Sequence, residues 1–247
     1  MVLVHGIGAT WQLWRPILPD LQRRFEVLAV DLPGFGASAP GERADVAAYA
    51  DAVAALAGRP FHAVGSSLGG GVALELGRRG IATSVTAFAP IGFWGPLSRR
   101  WCQISVTLGR SAARTLGPAL PRLASTAAGR TVLFGLFYGR PSQVDPVTGV
   151  ADAAALAKAP GFTAARHAFA SHRFTDPGAL QRIPVTVVWG VRDLILPVRQ
   201  ARAAEAALPQ ARHVRLPRCG HLPFGDDPAA CIRLIEQTAI DNLPTSG

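Results

Sequence analysis

Gly65-Ser66-Ser67-Leu68-Gly69 is the segment of this chain whose residue types and spacing point most directly to chemistry. It fits the pattern G-x-S-x-G, between an apolar run at 61–64 that predicts a strand and a segment at 68–79 that predicts a helix. A tight strand-to-helix turn forces its central serine into a strained, exposed position. The flanking glycines are needed because a side chain there would clash with the neighbouring chain and helix. The helix N-terminus that follows favours negative charge nearby. A serine hydroxyl is a weak nucleophile, so Ser67 needs a base, and the base needs an orienting acid.

Both partners are present downstream. Asp193 follows a predicted strand at 184–189, and His221 follows the next one, at 211–216, inside Cys219-Gly220-His221-Leu222-Pro223. Ser, Asp, His is one of the chain orders in which this constellation occurs. Both residues fall at the C-terminal ends of predicted strands, where open α/β sheets place their sites. The remaining histidines, His5, His62, His167, His172 and His213, read as structural or surface groups. Acyl transfer also builds negative charge on a carbonyl oxygen, which preorganised backbone N–H groups stabilise. The expected donors of this oxyanion hole are Leu68, directly after the nucleophile, and Ile7, in the loop His5-Gly6-Ile7-Gly8.

These residues must be carried by a particular scaffold. Short apolar strands predicted at 2–4, 25–30, 61–64, 84–89, 184–189 and 211–216 alternate with helices at 45–57, 68–79, 199–207 and 228–241. That alternation predicts an α/β fold with a mostly parallel central sheet and helices on both faces. From 92 to 181 no strand is evident. Helical segments at 104–116, 128–138, 151–157 and 162–174 are punctuated there by Pro118, Pro121, Pro141, Pro146 and Pro160. The chain therefore divides into a core, 1–91 with 182–247, and a helical insertion, 92–181. Trp94, Trp101 and Phe137 of the insertion, with Leu222 beside the histidine, are the expected contacts for a hydrophobic small-molecule substrate. The aromatics of the insertion can equally be read as its own core.

Composition bounds the partners. The chain has 247 residues, enough to bury a core without staples, and a net charge of +9. The basic residues are almost all Arg, with Lys158 the single Lys. They are scattered rather than gathered in one run, which reads as compositional bias; no nucleic-acid partner is expected. Cys102, Cys219 and Cys231 form no disulfide framework and suit a reducing, cytoplasmic setting. Apolar stretches break well before the ~20 residues of a span, so no stable membrane insertion is expected. The first residues show neither a basic leader nor a cleavage site. No H-E-x-x-H, paired Cys ligands or P-loop occurs, so no metal site is expected. A homo-oligomer is compatible with all of this.

Five segments together resemble the α/β-hydrolase superfamily: HGIGATWQLW at 5–14, DLPGFGAS at 31–38, VGSSLGGGVALEL at 64–76, WGVRDLILP at 189–197 and GHLPF at 220–224. The resemblance implies a helical cap over the active site, corresponding to 92–181, and no cofactor. It makes Asp31 similar to the family's fixed turn residue rather than a catalytic group. It is closest to the branch of carboxylesterases, carbon–carbon bond hydrolases of aromatic degradation and cofactor-free haloperoxidases. Serine at 67 separates the chain from the dehalogenase and epoxide hydrolase branches, which use Asp. Family members normally carry one or two strands before the HG loop; almost nothing precedes Val2, so N-terminal edge strands are expected to be missing. The function implied is a serine hydrolase acting on a hydrophobic carboxylic ester. The same triad would serve a carbon–carbon bond hydrolase or a haloperoxidase, and a non-catalytic ligand-binding protein on this fold is a further alternative.

Overall fold

The computed structural model describes residues 1–240, so the predicted helix end at Asp241 lies outside the described residues. Six strands form one parallel sheet: β1 (Val2–Val4), β2 (Leu28–Val30), β3 (Phe61–Ser66), β4 (Ala82–Phe88), β5 (Val185–Gly190) and β6 (Arg212–Leu216). Their spatial order is β2-β1-β3-β4-β5-β6. The chain steps to one side of β1 and then crosses back to the other. The crevice between β1 and β3 is thus the topological switch point, the place where open α/β sheets bind ligands.

Alternate residues face opposite sides of a strand, and the core obeys this. Val2, Val4, Ala63 and Ala87 join one apolar cluster, whereas Leu3, Val64, Phe88 and Val188 join another on the opposite face. The helices divide accordingly. α1 (Leu18–Gln22) buries Leu21 in the second cluster, while α2 (Val46–Ala57) and α3 (Leu68–Arg78) fill the first with Val53, Val72 and Leu76. α2 is bounded as its sequence dictates: Asp45 caps it by accepting the Ala48 N–H, and Gly58, at φ 63, closes it in the left-handed region.

Between β4 and β5 the described chain is helical: α4 (Pro96–Thr115), α5 (Leu120–Ala124), α6 (Ala127–Phe134), α7 (Pro146–Lys158) and α8 (Phe162–Ser171). The chain then returns to the sheet through β5 and α9 (Ala201–Ala207), which joins the first cluster. After β6, α10 (Pro223–Asp226) and α11 (Pro228–Ile240) add to the second. α4 starts eight residues earlier than its periodicity suggests. Pro96 sits in its first turn, where a missing N–H costs nothing, and the apolar residues of that turn face outward instead of marking a core stripe. β2 occupies one edge of the sheet and is shorter than expected, with Leu28 exposed.

Candidate active site

The turn after β3 shows why its residues have to be what they are. Ser67 has φ 56 and ψ −113, a left-handed conformation that a non-glycine residue adopts at a cost of about 1–3 kcal/mol. A Cβ on Gly65 would lie 2.0 Å from the Gly69 carbonyl oxygen, and one on Gly69 would lie 2.0 Å from that of Val4. No rotamer change relieves a clash with backbone, so both positions require glycine. Ser67 N–H donates to Phe88 O, and the N–H groups of Gly71 and Ile91 both donate to Ser67 O, which pins the turn against β4. The hydroxyl of Ser67 does not cap α3, although the residue stands at the N-cap position. Leu68 opens α3, and an N–H at that position has no intrahelical acceptor.

The neighbouring loop, after β1, approaches from across the switch point. Val4 pairs with Gly65, and a Cβ on Gly6 would lie 3.1 Å from Ser67 Cβ. His5 fixes this loop. It is wholly buried; Leu32 N–H donates to its Nε2 at 3.0 Å, and its Nδ1–H donates to Gly6 O at 2.7 Å. Those two partners select a neutral tautomer, and burial lowers the imidazole to about 4. Asp31 braces the next loop by accepting N–H groups from Trp11 at 2.7 Å and Ala37 at 3.0 Å.

Asp193 and His221 meet beyond the C-terminal ends of β5 and β6. Nδ1–H of His221 donates to Oδ2 of Asp193 at 2.8 Å, with both side chains buried. The other oxygen, Oδ1, accepts the N–H groups of Ile195 and Leu196, each at 2.8 Å. The carboxylate is therefore oriented by its own loop before it meets the imidazole. That bond leaves Nε2 as the nitrogen able to accept a proton.

Ser67, His221 and Ile7 all line one cavity of about 340 Å³. Its walls are otherwise mostly apolar, and they include Phe137 and Leu222. Of the four expected substrate contacts, these two reach the cavity and the two tryptophans do not. The Trp94 indole donates to His172 O and its ring packs against Phe169. The Trp101 indole donates to Leu194 O, tying α4 to the loop that holds Asp193.

Two polar groups had no signal in the sequence. Asp226 accepts three backbone N–H groups, each at 2.8 Å: Gly139 and Gly220 at Oδ2 and Arg140 at Oδ1. It thereby joins the segment after α6 to the loop of His221. Leu222 N–H donating to Phe137 O and Arg192 donating to Gly139 O reinforce the same seam. Asp152 of α7 accepts from the Tyr138 hydroxyl at 3.2 Å, and both residues face the cavity. Burial pushes the Asp152 carboxyl up to about 6, and the phenol and the Arg15 charge only partly offset this. The three cysteines are free and buried; burial pushes the thiols of Cys102 and Cys219 up to about 12, where they stay protonated.

The sequence profile of the alpha/beta hydrolase family matches residues 1–234. An uncharacterized protein of Mycobacterium tuberculosis is 31% identical over 96% of this chain and 74% of its own length. A pimeloyl-[acyl-carrier protein] methyl ester esterase of Chromobacterium violaceum is 30% identical over 91% of this chain and 87% of its own. Among solved structures, a thermophilic esterase from Thermogutta terrifontis superposes with a TM-score of 0.75 at 22% identity. The match covers 98% of this chain and 89% of that one.

Proposed function

Because the chain belongs to the alpha/beta hydrolase family and is a hydrolase, we propose that it cleaves a hydrophobic carboxylic ester through an acyl-enzyme on Ser67. The observation that carries this reading is the single apolar cavity shared by strained Ser67 and by His221, whose far nitrogen is tied to buried Asp193. Ser67 Oγ attacks the ester carbonyl while His221 Nε2 takes its proton. Asp193 holds the imidazole tautomer and stabilises the imidazolium that forms. The N–H groups of Ile7 and Leu68 receive the oxyanion. The alcohol leaves with the proton from His221. Water, deprotonated by the same nitrogen, then releases the acid. The helical segment 92–181 acts as the cap, supplying most of the apolar wall, and Phe137 and Leu222 contact the substrate.

A panel of p-nitrophenyl esters of increasing acyl length tests the reading. Wild-type protein is expected to turn them over and to label with a fluorophosphonate. Ser67→Ala is expected to lose at least about 10³-fold in kcat and all labelling. Ester hydrolysis that survives in Ser67→Ala overturns the assignment. Turnover of dienone-type substrates in preference to esters would instead place the same residues in a carbon–carbon bond hydrolase.

A further inference from the structure

α4 is amphipathic in an unusual sense. A surface helix ordinarily turns its large apolar residues inward. α4 buries mainly small residues, Cys102, Ser105, Val106 and Ala113. Its large ones, Leu97, Trp101, Ile104 and Leu108, recur at helical spacing and are exposed, Leu97 at 83% and Leu108 at 59%. Val132 of α6 is exposed at 84%, and both it and Leu108 line the cavity that holds Ser67. The cavity therefore reaches the surface among exposed apolar side chains.

Charge is uneven over the same helices, although the arginines look scattered when read along the sequence. No Asp or Glu stands between Glu75 and Asp145, whereas Arg99, Arg100, Arg110, Arg114, Arg122 and Arg130 all fall in that interval. Among the described residues none of these six forms an ion pair with a carboxylate. Arg100, Arg114 and Arg122 are exposed. An apolar stripe flanked by unpaired cations suits a surface that offers anionic headgroups above hydrocarbon. An acidic protein would satisfy the arginines but would leave Leu97 and Val132 facing polar groups.

We infer that α4 and the neighbouring α6 dock the protein on an anionic lipid bilayer, with the mouth of the catalytic cavity turned toward the lipid. Leu97, Ile104 and Leu108 enter the boundary between headgroups and acyl chains, and the exposed Arg100, Arg114 and Arg122 meet the phosphates. An apolar ester dissolved in the bilayer then enters past Leu108 and Val132 without crossing water. That last step rests on the hydrolase reading of Ser67; the docking does not.

Sedimentation with vesicles separates the two. Wild-type protein and Ser67→Ala are expected to bind equally to phosphatidylcholine vesicles containing roughly 30% phosphatidylglycerol. Both should bind weakly to phosphatidylcholine alone and dissociate as salt rises to roughly 0.5 M. Leu97→Ser combined with Ile104→Ser should lower the partition coefficient about tenfold or more. Neither residue lines the cavity, so this variant should hydrolyse a dissolved short-chain ester within about twofold of wild type, which also reports that it is folded. Arg100→Glu with Arg114→Glu should abolish the preference for phosphatidylglycerol. No adsorption by wild-type protein at low salt overturns the proposal. So does adsorption that the variant carrying Leu97→Ser and Ile104→Ser retains in full, because the contact would then be purely electrostatic and of the kind an acidic protein makes.

Discussion

The end of the sheet and the helical segment above it hold their buried polar groups in opposite ways. At the sheet end, His5, Asp193 and Asp226 are each fixed by backbone: an N–H and a carbonyl for His5, two N–H groups for Asp193 and three for Asp226. In the helical segment, Asp152 has a phenol as its hydrogen-bond partner and an apolar cavity in front of it. The first arrangement fixes where each group points. The second leaves a carboxyl that burial disfavours in its ionised state. Precision is built at the strand ends, while the helical segment supplies most of the apolar cavity wall.

The contrast can be broken first at Asp193. Asp193→Asn keeps an oxygen for Ile195 and Leu196 but turns an NH₂ toward His221 Nδ1, which selects the wrong tautomer. The expected loss in kcat is about 10³–10⁴-fold with the fold retained, read from ester hydrolysis and circular dichroism. Asp226→Asn comes next. One carboxamide oxygen cannot replace both carboxylate oxygens, so at least one buried N–H loses its acceptor along the seam between the His221 loop and the helices. A loss of about 3 kcal/mol is expected, roughly 6–12 °C in Tm, together with a lower kcat and a higher KM.

A change of pH acts on the two regions in opposite directions. Burial lowers His5 from 6.5 to about 4 in the folded chain. The unfolded chain takes up that proton first, so the stability from neutral His5 is whole above about 6.5 and is lost as pH falls toward 4. The difference amounts to about 3 kcal/mol. Urea titrations at pH 7 and pH 4 should show it, and His5→Gln should flatten the slope. Asp152 runs the other way, raised from 3.8 to about 6. Its cost is absent below 3.8 and complete above about 6, with the Tyr138 phenol and Arg15 reducing it. Asp152→Asn should therefore stabilise the protein by up to about 3 kcal/mol at pH 8 and little at pH 4, read as a Tm difference. An equal gain at both values would mean that the charge of Asp152 is irrelevant to the fold.

Much of the sheet end can be read from the sequence because its constraints are local. Gly65, Ser67 and Gly69 answer to a turn only five residues long, and the contact distances around those glycines show why no other residue fits. Asp193 and His221 can be found because strand ends mark them. The helical segment is harder. Most of its helices are evident from their periodicity, though α5 and the first two turns of α4 are not. Trp94 and Phe137 look alike along the chain, yet one packs against Phe169 while the other faces the cavity. Asp226 leaves no trace because its partners are Gly139 and Arg140, 87 and 86 residues away, and Gly220, and all three meet it through backbone atoms.

The sequence by itself determined the strand–helix alternation, the glycine-flanked turn at Ser67 and the order of Ser67, Asp193 and His221. Each of these depends on residue type within a few positions or on hydrophobic period. Tertiary structure decided which apolar side chains wall the cavity and which are left facing out on α4. It also joined Asp226 to the histidine loop. These outcomes depend on how whole helices rotate and pack against one another, and that orientation is set by many weak contacts summed over distant parts of the chain.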